Sequence, residues 1–525
     1  MGRQTGDCLL GTIFLAVAML LVVSQEKSES GLRRHDVPGV SHGPPASHWK
    51  TVSDRSQLPS NAAVSPQPMR AVLKNLSRGT RIIVGSLDVS GRRHQLQVAV
   101  GSNDPIRDAS IPFLRCSIND IDPRRNAQRQ PNPMCRRVET QRIPPDMPVC
   151  NQAANETSAR VFLTPCFTDT RTVHVPAECR FIGESPRVRV YADQRLVQSK
   201  NAEQIKSWLQ SLTSAAELRA LPVVHAWIGA ISDVDHDQKL SIVVTDLDHC
   251  SRNASHRSPI YGCIREADFR SDSDFCGDIV YIDPSIFELP TDELDALLTH
   301  EITHAAVCSM QADESPGSAD SAQSGHRRAG LQVSPWLSEA VAHFVEIQGG
   351  DSDAAGAAAE MSNNFQRRMD AFFADPAGSP IVAAEDVLSL EERRSGSRGA
   401  ATLFLARWIS SADALQQFLR SDAALERRIE QLADEPFAEV FREWTLSLAT
   451  MSTLPSGMST EHYSLRLDRF FADSHQARFS LLGTAFRCFE CSDDIASLVI
   501  ESDDAAQLQI SIIEPEAHIC SAKMD

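Results

Sequence analysis

Residues 297–308 read LLTHEITHAAVC and set His300, Glu301 and His304 inside an apolar run with helical periodicity. Leu or Ala would pack there without electrostatic cost, so the ionisable trio points to chemistry rather than packing. Residues four apart on a helix lie one turn apart on one face, so both imidazoles can reach a single ion. Glu301, rotated about 100° from His300, sits beside that ion. Two histidines hold a divalent metal incompletely. A third ligand is offered by residues 334–346, SPWLSEAVAHFVE, where Glu339, Ala342, His343 and Glu346 share one helical face.

Both segments carry the signals of helices that start firmly. Pro290 and Thr291 open the first, Asp292 and Glu293 place negative charge in its first turn, and Leu294, Leu297 and Leu298 supply a buried stripe. Ser334 is a candidate N-cap for the second, with Pro335 at the first helical position. The polar stretch between them reads as a loop long enough to let the helices pack with Glu339 facing the histidine pair. Upstream, LSIVVTDLD and DIVYID read as strands and AEQIKSWLQSLTSAAELRAL as a helix, the pattern of an α/β region.

HExxH followed by a Glu within a WLxE helix resembles the gluzincin branch of zinc metallopeptidases, the thermolysin and aminopeptidase type. The resemblance covers about residues 185–450. It implies that His300, His304 and Glu339 bind one zinc per chain with a fourth place left for water, and that Glu301 is the general base. Three protein ligands with an open position describe a catalytic zinc rather than a closed structural one. The resemblance also implies that residues 277–283, GDIVYID, form a strand whose exposed edge pairs with an extended peptide. Gluzincins usually offer a Tyr or His from a later helix to the oxyanion. The corresponding segment here, residues 393–408, has neither. Arg398 is the candidate donor in its place, Tyr281 is the nearest tyrosine in sequence, and His343 is a candidate for orienting the ligands.

Residues 233–241, DVDHDQKLS, space Asp233, Asp235 and Asp237 like the start of a calcium loop. Gln238 stands where such a loop has glycine and Val244 where it ends in an acid, so a solvated acidic turn is expected rather than a dedicated calcium site.

The remaining sequence frames this region. At 525 residues and 42% hydrophobic content the chain can build several cores. Its apolar stretch 8–23, flanked by Arg3 and a polar segment, has the layout of a secretory signal peptide. The expected organisation is a signal peptide over 1–24, a flexible linker over 25–69 and a β-rich, disulfide-containing domain over 70–184. A catalytic domain over 185–452 and a small β-rich domain over 453–525 follow. The fold class expected is thus α+β and multidomain, with a zincin-like domain (twisted sheet, active-site helix and helical lobe) flanked by β-rich domains. Thirteen cysteines, one of them Cys8 in the leader, leave an even set that suggests disulfides in an oxidising compartment. Cys488 and Cys491 read as structural.

Charge narrows the partners. Residues 1–220 hold 29 Lys and Arg against 19 Asp and Glu, whereas the rest hold 22 against 50, so the region carrying the histidines is too acidic to favour nucleic acid. After signal removal no membrane span is expected. These readings converge on an exported zinc-dependent peptidase acting on a peptide or protein. The competing reading is a catalytically weak or inactive gluzincin scaffold used for binding at a cell surface.

Overall fold

The computed structural model describes residues 70–100, 113–117, 159–167, 172–247, 260–269, 276–313, 333–349, 363–382, 395–450, 463–472, 476–502 and 507–515. All belong to one compact unit, Val64–Asp525. The expected signal peptide and linker lie outside the described residues. The architecture is α+β, as expected, and three sheets organise it.

The sheet that positions the histidines contains β5 (Arg160–Phe167), β6 (Thr172–Glu184), β7 (Val188–Asp193), β8 (Leu240–Val244), β9 (Gly262–Ile264) and β10 (Ile279–Ile282), in the order β5-β6-β7-β8-β10-β9. β7, β8 and β10 run parallel, and β9 closes the end antiparallel to β10. Both faces of β8 and β10 are covered, which explains their continuously apolar sequences LSIVV and IVYI. Residues 277–283 were expected to present a free edge. Instead β10 is an inner strand, bonded to β8 on one side and β9 on the other, and among the described residues the edge falls to the three-residue β9.

Helices α1 (Gln194–Ser199), α2 (Ala202–Ala215) and α3 (Leu221–Trp227) follow β7, and a π-turn over Ala216–Ala220 joins the last two. α2 starts firmly because Asn201 and Gln204 form a reciprocal capping box. The long α4 (Thr291–Asp313) follows β10, and its Leu294, Leu298, Ile302 and Ala305 share a core with Val280 and Ile282. α5 (Pro335–Gln348) packs beside α4, and α7 (Gly396–Trp408) packs beside α5. α6 (Asn363–Ala374), α8 (Ala412–Arg420), α9 (Leu425–Ala433) and α10 (Phe437–Thr450) complete a helical lobe.

The other two sheets mix the two ends of the described chain. β1 (Arg70–Leu76), β2 (Arg81–Ser86), β3 (Arg93–Val100) and β4 (Phe113–Ser117) come from one end. β11 (Leu467–Phe470), β12 (Ala477–Leu482), β13 (Phe486–Cys491), β14 (Ile495–Ser502) and β15 (Leu508–Glu514) come from the other. Their orders are β1-β14-β3-β12 and β11-β13-β2-β15-β4, so strands from the two ends pair within each sheet. Leu73, Leu96 and Leu498 of one sheet share an apolar core with Ile82, Phe489 and Ile510 of the other. The sequence reading placed these strands in separate flanking domains. Partner choice between distant strands leaves no local mark, whereas strand alternation does. β5 and β6, read as part of the N-terminal domain, belong to the sheet beneath α4.

Cys179, Cys263, Cys276, Cys488 and Cys491 are free thiols, so the disulfides expected from the even cysteine count are not formed by these five. Cys488 and Cys491 sit three apart on β13 and join different cores, which separates their thiols.

Candidate metal centre

α4 and α5 bring His300, His304 and Glu339 together. His300 Nε2 lies 3.2 Å from His304 Nε2 and 3.5 Å from Glu339 Oε2. His304 Nε2 lies 4.0 Å from the same oxygen. Tetrahedral ligands with metal bonds of about 2.0–2.2 Å stand about 3.3–3.6 Å apart, close to this triangle.

Their outer contacts decide which lone pairs face inward. His300 Nδ1 faces Glu346 Oε2 at 3.3 Å, and a carboxylate only accepts, so the ring proton belongs on Nδ1 and leaves an electron pair on Nε2. His304 Nδ1 is 2.7 Å from Ser338 Oγ. With Nδ1–H donating there, His304 Nε2 also presents an electron pair. Glu339 Oε1 accepts from Arg398 Nη2 at 2.8 Å, while Oε2 is buried with no hydrogen-bond partner. Once His300 gives up its Nε2 proton, three electron pairs would converge here, an arrangement that a cation stabilises. These residues can hold a metal ion.

Electrostatics follow from burial and from these neighbours. Burial alone lowers a histidine, but Glu339 and Glu346 outweigh it and raise His300 to about 10. Burial and the neighbouring His300 charge take His304 down to about 3. Glu339 is opposed by burial, yet Arg398 and the imidazoles hold it well below the usual carboxylate range. Glu301 stands outside the sets able to hold an ion, and burial pushes it up to about 7, the range of a group that exchanges protons near neutrality. Its side chain lies against β9: a Cβ added at Gly262 would stand 2.7 Å from Glu301 Cγ. Glycine at the sheet edge therefore makes room for the carboxylate.

The other predicted residues fall differently. Arg398 reaches the centre, but through Glu339. Tyr281 does not reach it. It is fully buried with Phe162, Tyr191 and Val243, in a core separate from the one Val280 and Ile282 share with α4, and its hydroxyl donates to Asp268 Oδ2 at 2.8 Å. Period-two alternation along β10 sends Tyr281 to the opposite face from those neighbours. His343 is buried, and its Nδ1 lies 2.9 Å from Glu346 Oε2. His300, His343 and Glu346 form a second set able to hold an ion. Because Glu346 Oε2 already faces both Nδ1 atoms, this set also serves as support for His300. Asp233, Asp235 and Asp237 lie outside this centre.

Sequence reasoning missed Ser338, the role of Glu346, Gly262 and Arg368. The first two stand on the helix already singled out, where i and i+7 spacing from Glu339 marks Glu346 as facing the same way. Gly262 and Arg368 carried no signal. Arg368 interacts with Arg398, Glu339 and Glu346, and burial together with the Arg398 charge takes it down to about 10.

Compared with protein-family models and with curated proteins, the chain matches none. Among the described residues no helix is long and apolar enough to cross a membrane.

Proposed function

We propose that this chain is an exported, zinc-dependent peptidase of gluzincin type, which hydrolyses peptide bonds in a peptide or protein substrate. The observation that carries the reading is the convergence of His300 Nε2, His304 Nε2 and Glu339 Oε2, with Glu301 near enough to interact electrostatically with His300 and Glu339. Nitrogen and carboxylate donors in this number suit zinc, which when bound polarises a carbonyl oxygen and brings the pKa of water to about 7.

The chain's own residues supply the rest. Glu346 and Ser338 fix the two imidazole rings, and Arg398 fixes Glu339. Glu301 takes a proton from the attacking water as its oxygen bonds to the carbonyl carbon. It returns that proton to the amine nitrogen as the C–N bond breaks. β9, bonded on one side to β10, offers its other edge to an extended backbone, and Gly262 keeps that edge against Glu301.

A second reading, a gluzincin scaffold retained for binding with little or no catalysis, draws support from the engagement of Arg398 by Glu339. Metal analysis and casein digestion separate the two. The peptidase holds about one zinc per chain, and Glu301→Gln lowers cleavage by about 10²–10⁴-fold while retaining the metal. A protein with no cleavage to lose, with or without zinc, supports the scaffold, and a protein that takes up no zinc defeats the peptidase.

A further inference from the structure

β1 carries an acceptor motif that the metal centre does not use. Asn75, Leu76 and Ser77 read Asn-x-Ser with no proline between, the pattern on which exported chains receive N-linked sugar. Two further copies, at Asn155 and Asn253, lie outside the described residues. So short a motif recurs by chance, and only its presentation in the fold gives it weight.

Regular alternation along β1 would hide Asn75. Ala71 and Leu73 are 1% and 0% exposed, and an unbroken strand would send Asn75 to the same inner face. It is exposed instead. Its backbone is left-handed, with φ of 56°, which breaks the alternation, turns the amide outward and returns Leu76 to the core. Asn adopts this conformation more readily than most residues, which accounts for Asn75 but leaves Ser77 unexplained. Ser77 is exposed too, and its hydroxyl stands 3.4 Å from Thr80 Oγ1, long for a hydrogen bond between hydroxyls. Other groups hold the turn after β1: Thr80 N–H donates to the Ser77 carbonyl at 3.0 Å, and Arg78 N–H to Asp494 Oδ1 at 2.8 Å.

Room and timing agree with the motif. Among the described residues β1 is an end strand of its sheet. On its neighbour β14, exposed Ala496 stands between the partners of Lys74 and Leu76, so a methyl group lies where a large side chain would crowd a sugar. Sugar is transferred as a chain enters the secretory lumen, amino-terminal part first. Arg78 and Asp494 meet across 416 residues of chain, so β1 is presented long before β14 exists to cover it.

We propose that Asn75 is an N-glycosylation site, an inference that rests on the export of the chain and not on its peptidase activity. The Asn75 amide nitrogen attacks the anomeric carbon of a lipid-diphosphate-linked oligosaccharide. A C–N bond forms, the C–O bond to the diphosphate breaks, the lipid diphosphate leaves, and the amide gives one proton to the transferring enzyme. The attached sugar stands at the open edge of the sheet, where it obstructs pairing with another chain.

The test translates the full chain with endoplasmic-reticulum microsomes. Protease protection reads whether the chain has crossed the membrane. Enzymatic sugar release in heavy-oxygen water, followed by peptide mass spectrometry, reads each site, because release labels an occupied position. A protected chain labelled at position 75 is expected. Asn75→Gln and Ser77→Ala should each remove one sugar chain by gel mobility, and Ser77→Thr should keep it. Ser77→Ala leaves Asn75 and its backbone in place, so its loss of sugar does not depend on how Gln tolerates the turn. A protected chain unlabelled at position 75, or a sugar there that survives Ser77→Ala, overturns the assignment and leaves export standing. A chain that stays outside the vesicles overturns both.

Discussion

Arg398 Nη2 donates to Glu339 Oε1 at 2.8 Å, and the other oxygen of that carboxylate turns toward the imidazoles of His300 and His304. The guanidinium would therefore act on a metal held here only through Glu339. Arg398→Ala should weaken zinc binding by about 10–100-fold, as read by competition with a chromogenic chelator. Arg398→Lys restores charge without the planar fork and should recover only part of the loss. Equal affinity in all three proteins would show that Glu339 needs no such support.

Gly262 and Glu301 are in such close contact that a methyl group at the glycine displaces the carboxylate. Gly262→Ala should cut peptide hydrolysis by about 100-fold while zinc content and circular dichroism stay at parental values. Full activity in this variant would mean that Glu301 moves freely without consequence.

The raised His300 sets the pH dependence of metal uptake. Glu339 and Glu346 overcome burial and lift it to about 10, so the metal-free protein carries a proton there at neutral pH. Zinc must displace that proton, and its apparent affinity should fall about tenfold for each unit of pH lost. Calorimetry in buffers of different ionisation heat should show about one proton released per zinc at pH 7. In the metal-free protein the same group stabilises the fold fully below about 6.5, and that contribution disappears as the pH rises through about 10. A metal-free protein more stable at pH 10 than at pH 6 would contradict this assignment.

Tyr281 is a structural tyrosine. Its hydroxyl hydrogen-bonds to Asp268, which is itself fully buried and paired with Arg265. Tyr281→Phe should cost about 1–3 kcal/mol of stability in denaturant titration and leave activity per folded molecule unchanged. A selective loss of kcat would return Tyr281 to the reaction.

What could be read from the sequence was local. The spacing of His300 and His304, the Ser334-Pro335 helix start and the face carrying Glu339 are all local helix signals, and the structure brings His300, His304 and Glu339 close enough together to hold one ion. What could not be read depends on pairing across distance. β9 is three residues long, and nothing in GCI announces that it takes the sheet edge from β10. The side on which Tyr281 lies was open to inference from alternation along IVYI, once β10 is known to be covered on both faces. Asp233, Asp235 and Asp237 were visible as a motif, but the burial of Asp233 Oδ1 and Asp235 Oδ1 without a hydrogen-bond partner was not.

The interleaving of β1–β4 with β11–β15 has a consequence for how this chain matures. β2 is flanked on both sides by strands from far later in the chain, so the earlier segment waits for the later one before its layer can close. Loss of β15 by premature termination would strip β2 and β4 of a neighbour at once, turning a distal truncation into an amino-terminal misfolding event with open strands available to aggregate.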